Sequence, residues 1–238
     1  MSSEPLFRDH PYETRFEARV IAAGDGSVVL DRTLFYPQGG GQPGDVGTLT
    51  AADGTQLAVA DTRKGENEAI EHRIAPDCPL PAPGSAVTGE LDWAVRHARM
   101  RMHTCLHLLS VVIHAPVTGG SLSETRGRLD FDLAEPTLER EAVTAELNQL
   151  IQQDLPVTSE WITEDELAAR PDLVKTMSVR PPAGAGTIRL VRIGHVDLQA
   201  CGGTHVASTA EIGRIEVAKI EKKSRHNRRV SLAFAATV

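Results

Sequence analysis

The sequence predicts an α+β protein in two parts, and three observations carry that expectation. Short alternating segments separated by Gly-containing turns fill residues 12–75. A proline-rich connection follows at 76–84, with Pro76, Pro79, Pro81, Pro83 and Gly84. Beyond Asp92 a long stretch lacks both Pro and Gly, and helical and extended patterns then alternate. The expected division is a glycine-rich, small β-barrel-like domain over 1–92 and an α+β domain over 93–238, with helices packed on an antiparallel sheet.

Each element follows from local chemistry. Residues 16–21 partly alternate apolar and polar, Asp25-Gly26 marks a turn, and 27–30 continue extended. Asp53-Gly54 marks a second turn between segments 47–50 and 56–60. Strands this short, joined by such turns, suit a small barrel or a strongly bent sheet. The proline-rich stretch suits neither a helix nor a central strand, so it leads to one last strand at 86–91. Asp92 is the expected N-cap of a helix from 93 to about 114, with Ala94, Ala98, Leu106, Leu109 and Ile113 on its buried face and Pro116 as the stop. Thr137 is expected to open a second helix to about 154. Thr163-Glu-Asp-Glu166 is a capping-box pattern for a short third helix ending before Pro171. Extended segments follow at 187–193, and at 213–221 paired with 229–234.

Composition narrows the function classes. The chain has 238 residues, 41% hydrophobic, 24% charged and only 4% aromatic, so its core must rest on aliphatic side chains. A net charge of −7 argues against a wholly basic nucleic-acid coat protein, though a sum hides local segregation. No apolar run is long enough to span a membrane, and residues 1–5 do not resemble a secretory signal. Cys78, Cys105 and Cys201 are too few and too scattered for a disulfide framework, which fits a cytoplasmic protein.

Two short patterns carry metal chemistry. His103-Thr-Cys-Leu-His107 places two imidazoles at i and i+4, on one face of a helix. Cys201-Gly-Gly-Thr-His205 offers a thiolate and a third imidazole, with two glycines that allow a tight turn. Either alone reads as ordinary core or surface residues. Together they supply three nitrogens and one sulfur, a set suited to one zinc ion rather than calcium or magnesium. Four protein ligands are the pattern of a structural zinc, whereas catalytic zinc keeps a place for water. A loosened ligand and an expanded shell both remain open on the sequence alone. His97, His114, His195 and Cys105 are read as structural. No side chain stands out as a general base.

Two further stretches stand out. In 35–47, Phe-Tyr-Pro-Gln-Gly-Gly-Gly-Gln-Pro-Gly-Asp-Val-Gly, three consecutive glycines lie between glutamines. The spacing is not that of a phosphate loop, so no nucleotide cofactor is expected, and taken alone it reads as a barrel turn. Between 214 and 229, seven basic residues (Arg214, Lys219, Lys222, Lys223, Arg225, Arg228, Arg229) oppose only Glu216 and Glu221. Arg96, Arg99 and Arg101 precede the helical histidines. These groups are read either as solvated surface or as contacts to a phosphate backbone.

Taken together, His103-Thr-Cys-Leu-His107-Leu-Leu, Cys201-Gly-Gly-Thr-His205 and the Phe35-to-Asp45 segment resemble the editing domain of alanyl-tRNA synthetase. The resemblance is closer to the free-standing AlaX family of alanyl-tRNA editing proteins, and it covers nearly the whole chain. No segment resembles an aminoacylation domain, so the resemblance implies an ATP-independent, trans-acting hydrolase. Its implied substrate is alanine tRNA mischarged with serine, and in some members with glycine. A pocket shaped for alanine cannot strongly reject either amino acid, so a second sieve is required. The resemblance further implies zinc bound by His103, His107, Cys201 and His205, with Gln42 hydrogen-bonding the serine hydroxyl. Gly40, Gly41, Gly202, Gly203 and Thr204 would form the substrate loops, and Arg99, Arg101, Lys222, Lys223, Arg225 and Arg228 would contact tRNA. Two alternatives stand beside it: a zinc-stabilised tRNA-binding module without catalysis, and a deacylase of mischarged threonine tRNA. Threonyl-tRNA synthetase editing domains share a similar histidine and cysteine-histidine layout, while the Gly40-Gly-Gln42 loop favours the alanine system.

Overall fold

The computed structural model describes residues 2–76, 78–133, 138–175 and 186–236. It has the α+β character expected, in two compact units, Met1–His97 and Ala98–Val238. The division falls inside the first helix, whereas the sequence suggested a boundary just ahead of it. No helix among the described residues is long and apolar enough to cross a membrane.

The first unit is built on a closed six-stranded antiparallel barrel. Its strands in chain order are β2 (Arg15–Gly24), β3 (Ser27–Leu30), β5 (Gly47–Ala51), β6 (Gln56–Lys64), β7 (Ile70–Ile74) and β8 (Ala86–Leu91). Around the barrel they run β2-β3-β7-β6-β5-β8, and β8 returns to pair with β2. Two short strands, β1 (Glu4–Pro5) and β4 (Arg32–Thr33), pair in parallel beside it. Alternation sets the inner face: Phe16, Ala18 and Val20 are buried on β2 while Glu17 and Arg19 face outward. Asp25 and Gly26 both have positive φ (49° and 68°), which suits the tight, twisted turn between β2 and β3. Aliphatic residues dominate the interior, with Phe16 and Phe35 the aromatic members of the core cluster. The extended reading of 12–75 is met by five barrel strands, together with the short β4.

The second unit takes most of α1 (Trp93–Val112), together with α2 (Arg140–Gln152) and α3 (Glu164–Ala168). One antiparallel sheet has the order β14-β15-β10-β9, formed from β9 (Val117–Leu122), β10 (Arg126–Asp132), β14 (Ile215–Ser224) and β15 (Asn227–Phe234). The other is β11 (Val157–Thr163), β12 (Thr187–Ile193) and β13 (Asp197–Ala200), with β12 in the centre.

Helix boundaries follow the capping chemistry. The Asp92 carboxylate accepts from the Val95 N–H at 3.1 Å, the expected N-cap. Thr163 and Glu166 make both bonds of the capping box. Thr137 and Pro136 lie outside the described residues, and α2 begins at Arg140. It stops before 154 because Asp154 adopts a left-handed φ of 52°. α2 buries Val143, Leu147 and Ile151, and Asn148 fastens it to β14 by bonding both main-chain groups of Ile215. β9, β10, β11 and β13 are not evident in the sequence. Gly119-Gly120 interrupts β9, and most of β11 is exposed, so alternation is weak there.

Candidate metal centre

α1 is the scaffold of the site. One apolar face was expected, yet every residue from Met102 to Ser110 is buried. A helix covered all round can carry polar side chains inside a protein, provided each finds a partner. His103 and His107, one turn apart, face the same way with ring centroids 5.2 Å apart. Cys105 lies on the opposite side, buried, and burial pushes its thiol up to about 12.

The second pair of donors arrives from the end of β13. Cys201-Gly-Gly-Thr-His205 turns back immediately after the strand, and Arg189 on β12 clamps the turn. Its guanidinium donates to the carbonyls of Cys201 (3.2 Å) and Gly203 (2.9 Å). The Gly203 N–H in turn points at Cys201 Sγ, 3.4 Å away. Gly202 is exposed, while Gly203 and Thr204 are buried.

The structure brings together all four expected ligands. One donor atom each from His103, His107, Cys201 and His205 lies within 4.8 Å of the others, forming a group able to hold one metal ion. Cys201 Sγ is 3.6 Å from His103 Nε2 and 3.3 Å from His205 Nε2. Tetrahedral zinc, with bonds of about 2.3 Å to sulfur and about 2.0–2.1 Å to nitrogen, sets S and N roughly 3.5 Å apart. The donor chemistry and the spacing therefore both fit.

Hydrogen bonds decide which ring nitrogen faces the group. The Thr104 hydroxyl donates to the Met100 carbonyl at 3.0 Å, so its oxygen accepts from His205 Nδ1–H at 3.1 Å. This leaves His205 Nε2 toward Cys201. His107 Nδ1 lies 3.3 Å from Asp197 Oδ2, which turns its Nε2 inward as well. Burial opposes the charged form of both Cys201 and His107. For the thiol, the three surrounding imidazoles outweigh burial and hold it well below its usual range. For His107, the charge of Cys201 and the bond to Asp197 win, raising it to about 9. His205 is lowered well below an ordinary histidine, first by burial and then by His103. Asp197 is held at about 2: burial would raise it, but the bond to His107 and the bonds from Lys175 and Gln199 prevail. The thiolate is the form in which Cys201 would bind a divalent ion, whereas His107, raised to about 9, would have to release its Nε2 proton as the ion entered.

Several residues around this group escaped the sequence reading: Thr104, Ser110, Lys175, Arg189, Asp197 and Gln199. A period-two reading of the residues before Cys201 would have put Asp197 and Gln199 on one face of a strand, but nothing local says that the face turns toward α1. His97, His114 and His195 stand outside the group. His97 stacks on Trp93, with centroids 5.1 Å apart, and the other two are exposed.

In the first unit, the glycine-rich segment forms a tight turn. Gly39 and Gln42 exchange main-chain hydrogen bonds of 3.1 and 3.0 Å, and Gly40 and Gly41 occupy the central positions at φ 57° and 82°. Both angles are left-handed, so glycine suits each position. Gly44 is required for a different reason: a Cβ there would lie 1.9 Å from the Thr62 carbonyl oxygen. Gly40 and Gly41 are exposed, and Gln42 is fully buried. Arg96 and Asp45 form a buried ion pair beside this segment. Arg96 also donates to the Leu34 and Pro11 carbonyls, and Asp45 accepts from the Tyr36 N–H.

The basic residues fall into two groups. Arg99 is buried and paired with Glu124, and Arg101 donates to the Ile212 carbonyl while its guanidinium sits 4.3 Å from the Phe234 ring centroid. Both are engaged in holding the second unit together rather than presented on an open face. Lys222, Lys223 and Arg225 are exposed, and Arg228 is half-buried. Only Arg225 and His226 form the loop of the hairpin, because the pairing runs to Ser224 and Asn227.

Two family models match the chain. Residues 188–231 match the threonyl and alanyl tRNA synthetase second additional domain, and residues 6–95 match tRNA synthetases class II (A). The alanyl-tRNA editing protein AlaX-M of Saccharolobus solfataricus is 33% identical over 96% of this chain and 97% of its own length. That of Methanosarcina mazei is 34% identical over 96% and 95%. The alanine--tRNA ligase of Methanothrix thermoacetophila is 35% identical over 92% of this chain, which spans only 24% of the ligase.

Proposed function

The chain belongs to the AlaX-M family of alanyl-tRNA editing proteins, and on that premise we propose that it acts in trans as a zinc-dependent hydrolase on mischarged alanine tRNA. The bond cleaved is the ester joining serine to the tRNA, with glycine, a substrate of some members of the family, as the second candidate. One observation carries the reading: a thiol and three imidazoles, from two stretches of chain about a hundred positions apart, come within 4.8 Å of one another, with the thiol 3.6 and 3.3 Å from two of the ring nitrogens. Zinc held by one thiolate and three neutral imidazoles keeps a net +1 charge, and it supplies Lewis acidity to a carbonyl or a water.

The protein's own residues have distinct tasks in this reading. Cys201 supplies the anionic ligand, stabilised by the Gly203 N–H, and Arg189 holds the turn that carries both Cys201 and His205. Gly202 is exposed on its turn in the second unit, and Gly40 and Gly41 on theirs in the first, so each offers main chain to an aminoacyl group, whereas Gly203 and Thr204 are buried. The resemblance assigns Gln42 to the serine hydroxyl, although its side chain is fully buried in the structure. A site built to hydrogen-bond that hydroxyl spares correctly charged tRNA, because alanine's methyl offers no partner and a buried polar group left unsatisfied costs about 1–3 kcal/mol. Lys222, Lys223, Arg225 and Arg228, on and around the exposed hairpin, are assigned to the tRNA backbone.

The test is deacylation by the purified full chain of Ser-, Gly- and Ala-tRNA(Ala), with and without a chelator. Serine should be released and alanine spared, the glycine arm deciding whether glycine is a second substrate, and both chelation and Cys201→Ala should abolish release while the fold persists. Release that survives chelation removes zinc from the mechanism. No release, with unfolding on chelation, would instead favour a zinc-stabilised binding module. Because the model matched at 188–231 covers threonyl as well as alanyl synthetases, Ser-tRNA(Thr) belongs in the same assay, and its preferential cleavage would overturn the assignment to alanine tRNA.

A further inference from the structure

We propose that Asp197 is a positioning residue of the metal centre. It acts through His107, whose ring it orients so that Nε2 faces the other three donors. The inference rests on the metal reading above and adds to it the residue that holds one ligand in place.

The contacts around Asp197 are unusually one-sided. The side chain is buried, and among the described residues every group bonded to it is a donor: His107 Nδ1 at 3.3 Å, Gln199 Nε2 at 2.7 Å and Lys175 Nζ at 2.5 Å. Only a carboxylate, which accepts at both oxygens and donates at neither, satisfies three such partners. An amide in its place would point its own N–H bonds at one of them. Around this carboxylate the bonds close into a ring. The Ser110 hydroxyl donates to the His107 carbonyl at 2.7 Å and accepts from Gln199 Nε2 at 3.3 Å, and Gln199 leads back to Asp197. His107 is thus gripped at its main chain and at its ring by one connected network. A carboxylate on the outer nitrogen of a ligating histidine fixes both tautomer and ring plane, and loss of such partners typically costs 10–100-fold in metal affinity. The simpler account is that Asp197 serves only to neutralise Lys175, with the histidine contact incidental.

Zinc affinity of the full chain, measured by competition with a chromogenic chelator, separates these accounts. Asp197→Asn should raise the Kd for zinc by about 10–100-fold. Lys175→Met, which leaves the histidine contact in place, should stay near wild type. Wild-type affinity in Asp197→Asn overturns the positioning role while leaving the metal reading intact. An equal loss in Lys175→Met also overturns it, because the pair with lysine would then be what matters. A wild-type chain that takes up no zinc overturns both readings. A second measurement needs no variant. In imidazole nitrogen–proton correlation spectra of the zinc-loaded wild type, His107 should carry its proton on Nδ1 with Nε2 bound, and a proton on Nε2 overturns the proposal.

Discussion

His72, inside the barrel, makes the stability of the first unit depend on pH in a way that can be worked out from its surroundings. The ring is fully buried between two fixed partners. Nδ1 sits 2.9 Å from the Val28 carbonyl, so it carries the proton. Nε2 lies 2.8 Å from the Thr33 hydroxyl, whose oxygen already accepts from the Phe35 N–H, so Nε2 receives the hydroxyl proton. A second proton on the ring would place a full charge in the barrel interior and force the Thr33 hydroxyl to turn its own proton away. Burial, partly offset by the bond to Val28, lowers His72 from 6.5 to about 4. The unfolded chain therefore binds more protons than the folded one between those values, and stability is fully present above 6.5 and lost as pH falls toward 4. At about 1.4 kcal/mol per pKa unit the complete loss is about 3 kcal/mol, of which roughly 2.5 kcal/mol is gone by about pH 4.5. The chain has two tryptophans, Trp93 in the first unit and Trp161 in the second, so Trp161→Phe leaves Trp93 to report the first unit. Urea unfolding of that protein at about pH 7.5 and about pH 4.5, with and without His72→Gln, isolates the contribution, since titrations common to both proteins cancel. Equal losses on acidification in the two proteins would refute the reasoning.

The same Trp93 signal tests the Arg96–Asp45 pair. Arg96→Met should cost about 3–5 kcal/mol by stranding a buried carboxylate, and adding Asp45→Asn should recover part of the loss. Strictly additive losses would mean that the two side chains are not coupled. On the hairpin, Lys222→Glu with Arg225→Glu should weaken tRNA binding and flatten its dependence on salt, by close to one unit of log–log slope per lost phosphate contact. An unchanged slope in filter binding would make the hairpin a solvated surface. Because Gly44 lies against the Thr62 main chain, Gly44→Ala should destabilise the barrel by at least about 1–3 kcal/mol, read as a shifted urea midpoint. A midpoint unmoved from wild type would refute the close approach.

What sequence alone determined about this protein is what local spacing encodes. Two imidazoles at i and i+4 in a stretch without Pro or Gly must share a helix face, and two glycines between a cysteine and Thr-His permit the tight turn. The caps at Asp92 and Thr163 and the turns at Asp25-Gly26 and Gly40-Gly41 were legible for the same reason, since each bond or dihedral lies within a few residues of its cause. The resemblance of three such motifs then pointed to the family. Tertiary structure alone decided the strand order, the weakly patterned strands β9 and β11, and the partners of every buried charge. Arg96 and Asp45 are 51 positions apart, His107 and Asp197 90, and no periodicity links either pair. The arginines of α1 are the clearest case. As a string they look like a basic patch, yet burial obliges Arg99 to find an acid and Arg101 a carbonyl, because a desolvated guanidinium left without partners costs more than folding can supply.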